Sequence, residues 1–215
     1  MMTREPIRVI LVDDHPVVRD GYRRLLDGNA GIQVVAEAGN GEEACELYNQ
    51  VKPDVMVLDL NMPGIGGLET ASRICAKHNS AKILVFSMYD SQIMVGRALE
   101  AGAIGYITKS SAATQMVDAI HCVAQGKPFL SHGLIPAIFH KYKYQHAEPL
   151  TALSKREFEV FRRLADGCSV TEIARELSIS PKTVGVHQTK IMKKLAIKNS
   201  AELTRLAIRC GVIEI

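Results

Sequence analysis

Three carboxylates carry the strongest chemical signal in this 215-residue chain. Asp13 and Asp14 follow the apolar run Ile7–Val12, and Asp59 follows the run Val55–Leu58. Where two such runs lie side by side, their terminal acids converge, and three anions at that range repel one another unless a cation joins them. Oxygen-only donors suit Mg²⁺, which is commonly held by one or two carboxylates together with water and phosphate oxygens. The candidate ligands are Asp13, Asp14, Asp59 and the backbone carbonyl of Asn61. Ser87 offers a hydroxyl just after Lys82–Phe86, and Lys109 offers an ammonium just after Gly105–Thr108. A lysine there is a mobile point charge able to reach a phosphate oxygen. Carboxylate, metal, hydroxyl and ammonium around one cleft suit phosphoryl transfer, in which a protein mainly positions and neutralises charge. The chain has neither a GxxxxGKS/T nor a GxGxxG loop to cradle a nucleotide, so the expected acceptor is the protein's own carboxylate, with Asp59 as nucleophile. Taken singly, each group has a plainer role: an Asp after a strand caps a helix, Ser87 bonds a loop, Tyr106 fills a core. Their joint placement at the ends of separate runs is what points to a site.

Such convergence needs a sheet. The candidate strands are Ile7–Val12, Ile32–Glu37, Val55–Leu58, Lys82–Phe86 and Gly105–Thr108, short and mostly apolar, as strands covered on both faces should be. Helical patterns lie between and after them at Pro16–Leu26, Glu42–Gln50, Leu68–Lys77, Ser91–Ala101 and Ala113–Gln125. Strand then helix, repeated, predicts a doubly wound α/β domain of flavodoxin-like strand order 2-1-3-4-5, with ligands at the carboxyl ends of the strands. In that order the first and third strands are neighbours, about 4.8 Å apart. Residues 1–125 are assigned to this domain.

Residues 126–149 break the pattern with Gly126, Pro128, Gly133, Pro136 and Pro149, and are read as a linker whose middle, Leu134–Tyr144, is able to hold a helix. From residue 150 to 215 every signal is helical. Ser154 with Glu157, and Ser169 with Glu172, have capping-box spacing; Asn199 with Glu202 resembles a third, and Ser180-Pro181 sets a cap before a first-turn proline. The expected helices are 155–166, 170–177, 181–195 and 200–210. Only Ser178-Ile179-Ser180 separates the second from the third, the geometry of a helix-turn-helix. In that motif the second helix enters the major groove of DNA. Lys182, Lys190, Lys193 and Lys194 are expected to meet phosphates, Val186 a thymine methyl, and Gln188 or Thr189 base edges or backbone, with Thr183 on the same DNA-binding face.

Charge supports the division. Residues 1–124 hold 11 Lys+Arg against 15 Asp+Glu, whereas residues 150–215 hold 12 against 7. An acidic first part joined to a basic last part implies two partners, the second compatible with nucleic acid. Five cysteines (Cys45, Cys75, Cys122, Cys168, Cys210) form no CxxC pair, which argues against a zinc site or a disulfide framework. No stretch approaches the roughly 18 apolar residues of a membrane span, and Arg8 and Asp13-Asp14 interrupt the first apolar run. A reducing cytoplasm with no membrane partner is expected.

The motifs Val12-Asp13-Asp14-His15-Pro16, Leu58-Asp59-Leu60-Asn61-Met62-Pro63-Gly64, Phe86-Ser87 and Gly105-Tyr106-Ile107-Thr108-Lys109 resemble the receiver domain of bacterial two-component response regulators. Leu153-Ser154-Lys155-Arg156-Glu157 and Ile179-Ser180-Pro181-Lys182-Thr183-Val184 resemble the LuxR-type helix-turn-helix. Together they resemble the NarL/FixJ family over almost the whole chain. The resemblance implies that Asp59 accepts a phosphoryl group from a sensor histidine kinase, that Ser87 turns toward it, that Lys109 pairs with it, and that Tyr106 rotates inward. It further implies a DNA-binding transcription regulator that forms a homodimer on phosphorylation and meets a palindromic operator. Part of the last helix, at Ala201, Leu203 and Ala207, would then pair two copies, although the same face is also suited to completing a small core. Two departures stand out: Ser110 follows the lysine where many receivers have proline, and Gly185 stands where relatives often carry a basic residue. Gly185 either lets the backbone approach DNA closely or marks weaker base contacts. Two other functions suit these residues less well. An Asp-nucleophile hydrolase leaves the basic helices without a task, and a constitutive DNA-binding protein has no need of Asp13, Asp14, Asp59, Ser87 and Lys109 together.

Overall fold

The computed structural model describes residues 5–131 and 149–213. The proposed helix at 134–144 therefore lies outside the described residues. By internal contacts the chain divides into two units, Met1–Met88 with Arg97–Ile135, and Tyr89–Gly96 with Pro136–Ile215.

Strands β1 (Ile7–Val12), β2 (Ile32–Ala38), β3 (Val55–Leu58), β4 (Ile83–Ser87) and β5 (Gly105–Thr108) form a parallel sheet, each within one residue of its expected bounds. Helices α1 (Pro16–Asp27), α2 (Gly41–Val51), α3 (Gly67–Lys77), α4 (Gln92–Glu100) and α5 (Ala112–Ala124) alternate with them. The order is β2-β1-β3-β4-β5, extended by a sixth strand, β6 (Phe129–Leu130), which the sequence placed in the linker. It pairs parallel with β5, Gly105 opposite Phe129 and Tyr106 opposite Leu130. Two residues are too few to carry a period, so this strand left no mark in the pattern.

Every residue of β3, β4 and β5 is buried, as strands covered on both faces must be. Val9, Leu11, Val57, Leu84, Phe86 and Ile107 pack with Leu26 of α1 and with Met116, Ala119, Ile120 and Val123 of α5. The alternate residues Ile10, Met56, Leu58, Ile83 and Val85 are equally buried and must face the other layer, because strand side chains alternate.

The second unit holds a 3₁₀ turn (Pro149–Ala152) followed by α6 (Lys155–Ala165), α7 (Val170–Glu176), α8 (Pro181–Leu195) and α9 (Ser200–Arg209). Both expected capping boxes are reciprocal: the Ser154 and Ser169 hydroxyls accept from Glu157 and Glu172 amides, whose carboxylates accept in return. At α9, Asn199 caps the Glu202 amide, but Glu202 accepts from the Lys198 amide at 2.8 Å, so the box is not closed. Leu150, Leu153, Phe158, Phe161, Ile173, Leu177, Val184 and Ile191 make the core, while Leu164, Ile179 and Leu195 are only half-buried. Leu203 and Ala207 are 2% and 0% exposed. Of the three residues suggested for pairing two copies, these two complete the core of α9 against α6, and only Ala201 is exposed. Among the described residues, no helix is long and apolar enough to cross a membrane.

Candidate functional site

Register brings the acids together. Val12 pairs with Leu58, so the residues after them, Asp13 and Asp59, leave neighbouring strands at one level. The Asp13 amide donates to the Ala38 carbonyl (3.1 Å) and the Asp59 amide to the Val12 carbonyl (2.9 Å), which fixes both backbones. Ser87 pairs with Thr108, and the Lys109 amide donates to the Ser87 carbonyl at 2.7 Å. Ser87 is thus the buried last residue of β4, and Lys109 begins the loop beside it.

The Lys109 ammonium bridges the site, with Nζ 2.5 Å from Asp13 Oδ2 and 2.9 Å from Asp59 Oδ2, above the Phe86 ring. Asp59 Oδ1 accepts from the Asn61 amide at 3.1 Å. Burial raises Asp59 above the ordinary carboxyl value, although Lys109 pulls it back. Burial also works against the charged form of Lys109, but Asp59 and Asp13 outweigh it and hold the ammonium above its ordinary value. Each charge thus offsets the cost of burying the other, in a setting where either charge alone is costly.

Asp13, Asp14, Asp59 and His15 present donor atoms within 4.8 Å of one another. His15 Nδ1 stands 2.9 Å from Asp14 Oδ1 without hydrogen-bond geometry, and that buried oxygen has no hydrogen-bond partner among the described residues. Two buried carboxylates and a third with an unsatisfied oxygen form an oxygen donor set that fits a hard divalent cation.

Three participants escaped the sequence. His15 donates its amide to Asp13 Oδ1 (2.8 Å), and Arg19 Nη1 donates to the Asp13 carbonyl (2.5 Å) while its Nε pairs with Glu37. Gly67 starts α3 against the Asp59 loop: a Cβ there would collide with the Asp59 carbonyl and sit 2.5 Å from Leu60 Cα. A glycine opening a helix was the available signal. Tyr106 lies fully buried in β5.

In the second unit Lys182, Val186, Lys190 and Lys193 are exposed along one side of α8, opposite the buried Val184 and Ile191. Val186, 46% exposed, is an unusual apolar residue for such a face. Lys182, Lys190 and Lys193 make no ion pair among the described residues, but Lys194 donates to Glu157 Oε2 at 2.6 Å. Thr183 is committed to the cap of α8, and Thr189 donates to the Gly185 carbonyl (2.9 Å). Gln188 is half-buried. A Cβ at Gly185 would meet nothing within 4 Å among the described residues, so their packing does not demand glycine there. His187 keeps Nδ1 buried without a hydrogen-bond partner among the described residues, and burial lowers its pKa.

Known proteins share both parts. The profile of the response regulator receiver domain matches residues 9–121, and that of the bacterial regulatory proteins of the luxR family matches residues 151–207. Response regulator GacA of Pseudomonas aeruginosa is 36% identical over 210 residues, covering 97% of this chain and 98% of its own. Response regulator UvrY of Escherichia coli is 36% identical over 208 residues, 96% of this chain and 95% of its own. The solved complex of the two-component response regulator RcsB with DNA is 28% identical at a TM-score of 0.59, covering 94% of this chain and 98% of that one.

Proposed function

This chain belongs to the response regulators that join a receiver domain to a LuxR-type helix-turn-helix, and on that premise we propose that Asp59 is the phosphoacceptor and α8 the helix that reads DNA. The observation carrying the first part is Lys109 Nζ bridging Asp13 and Asp59 across 96 and 50 residues of sequence. An Asp59 carboxylate oxygen attacks the phosphorus of a phosphohistidine on a sensor kinase; the P–N bond breaks as the P–O bond forms. Asp13, Asp14 and Asp59, with the Asn61 carbonyl, are the residues to hold Mg²⁺, whose charge, when bound, offsets that of the phosphoryl oxygens. Lys109 passes from Asp59 to a phosphoryl oxygen, and the Ser87 hydroxyl donates to another. Three new acceptor oxygens then bias the ends of β4 and β5, with Ser87 and Tyr106 following them.

Residues 1–125 form the phosphoacceptor domain in this reading and residues 150–215 the DNA-binding domain. The segment between is the linker, except that Phe129–Leu130 joins the receiver sheet as β6. Lys182, Lys190 and Lys193 face phosphates, Val186 a thymine methyl, and Gln188 or Thr189 base edges or backbone. The solved RcsB–DNA complex supports DNA as the partner of a chain of this kind. Two copies on a palindromic site pair through surface including Ala201, and a regulator of chromosomal DNA works in the cytoplasm.

The test is labelling of the full chain by acetyl phosphate with Mg²⁺. Native protein is expected to take up one phosphoryl group and Asp59→Asn none. Undiminished labelling of the variant would overturn the assignment of Asp59.

A further inference from the structure

Beside Lys109 lies a group of hydroxyls that the phosphoryl-transfer reading leaves unused. Thr108 Oγ1 is 3.0 Å from Ser110 Oγ and 2.9 Å from Ser111 Oγ, and Ser111 Oγ is 3.0 Å from Ser131 Oγ. Ser111 Oγ also lies 3.2 Å from the Thr108 carbonyl, and the Thr108 amide points to Ser131 Oγ at 3.4 Å. Thr108 and Ser131 are 7% and 5% exposed and Ser111 is half-buried, so the inner bonds are largely shielded from water, whereas Ser110 is exposed.

One arrangement of protons satisfies these contacts. Ser110 donates to Thr108 Oγ1, Thr108 to Ser111 Oγ, Ser131 to Ser111 Oγ, and Ser111 to the Thr108 carbonyl. Each hydroxyl donates once and accepts within its two lone pairs. Such a closed network stiffens what it spans, and the Thr108–Ser110 bond spans Lys109. The far end is tied to the sheet, because β6 pairs with β5 and the Ser131 amide donates to the Tyr106 carbonyl at 3.1 Å. The loop carrying Lys109 is thereby held between β4, through the Ser87 carbonyl, and the end of β6, through Ser131.

We propose that this hydroxyl clasp positions Lys109 for phosphoryl transfer, with Ser131 as the positioning residue that anchors it to β6. A lysine side chain has four rotatable carbons and gains little directional accuracy of its own. A fixed backbone lowers the cost of holding its ammonium where charge develops on the phosphoryl oxygens. Proline restricts a chain by its ring. Ser110 has no ring, and the hydroxyls supply the restraint here. The role rests on Asp59 being the phosphoacceptor.

The experiment measures initial rates of acetyl phosphate labelling in the full chain at saturating Mg²⁺. Ser131→Ala is expected to slow labelling about fivefold, the scale of one neutral hydrogen bond. The Mg²⁺ concentration for half-maximal rate should stay as in the native protein, since Ser131 touches no ligand. In a Lys109→Ala background, Ser131→Ala should change the rate no further. A native rate in Ser131→Ala, or the same fivefold loss without Lys109, overturns the proposal. Should Ser131→Ala fail to fold by circular dichroism, Ser111→Ala breaks the same Ser111–Ser131 link and is read against the same outcomes. Failure of native protein to become labelled at all would instead sink the assignment of Asp59, so the two failures are distinct.

Discussion

Asp59 and Lys109 show how one residue's burial is tolerable only through another's charge. A 2% exposed carboxylate is an expensive object, and the ammonium that stabilises it arrives from the end of a different strand. Gly67 sets the shape of the acid's loop by absence: α3 presses so close that any Cβ meets backbone atoms of Asp59 and Leu60, which have no rotamer to yield. Its own backbone is not left-handed, so the requirement is one of space. Gly67→Ala is therefore expected to push the Asp59 loop outward, costing about 1–3 kcal/mol of stability as overpacking does, and to slow acetyl phosphate labelling severalfold. Urea unfolding and labelling rates check both; a variant as stable and as fast as native would show that α3 can withdraw freely. The acids themselves were legible in the sequence because strand ends are marked by a change of residue class. His15 and Arg19 were not, since their importance lies in which backbone or carboxylate atom they reach.

Elements in the second unit are joined by a charge that serves two of them. Glu157 closes the capping box of α6 and accepts from Lys194 near the end of α8. Burial alone would raise its pKa, but the hydrogen bonds from Lys194 and Ser154 outweigh burial and hold the carboxyl at about 2. A depressed folded-state pKa contributes stability that is complete above the unfolded value, near 4.5, and is lost as pH falls toward 2. Glu157→Gln is expected to flatten the pH dependence of stability in that window and to cost about 1 kcal/mol at neutral pH through the lost ion pair with Lys194, since a glutamine still closes the capping box. Hydrogen exchange of α6 and α8 amides as a function of pH reads it out, and an unchanged acid slope would mean another group carries the effect. Boundaries at this scale were legible wherever a cap marked them, as at Ser154, Ser169, Ser180 and Asn199. The pairing of β6 was not, because it depends on a strand more than 20 positions away. Nor did the period of α9 say what covers its apolar face; α6 supplies that cover, so Leu203 and Ala207 became core.

For the molecule as a whole, the uneven charge along the chain separates two chemistries: an acidic part that concentrates cations and phosphoryl groups, and a basic part suited to a polyanion. DNA binding driven by lysine–phosphate contacts releases counterions, so affinity should fall steeply and log-linearly with salt. The lysines of α8 are not equivalent in this. Lys182 is exposed and makes no ion pair among the described residues, whereas Lys194 is already bound to Glu157. Lys182→Ala is expected to weaken binding alike across sequences and to reduce the salt slope by about 1. Lys194→Ala leaves a buried carboxylate without its cation, so it should lower the stability of the helical unit while changing the slope far less. Fluorescence-anisotropy titrations of both variants against a specific and a scrambled duplex, over a range of salt, separate the two roles. Equal slope changes would place Lys194 on DNA at the expense of Glu157. A loss confined to one base position at Lys182 would make that lysine a reader of sequence.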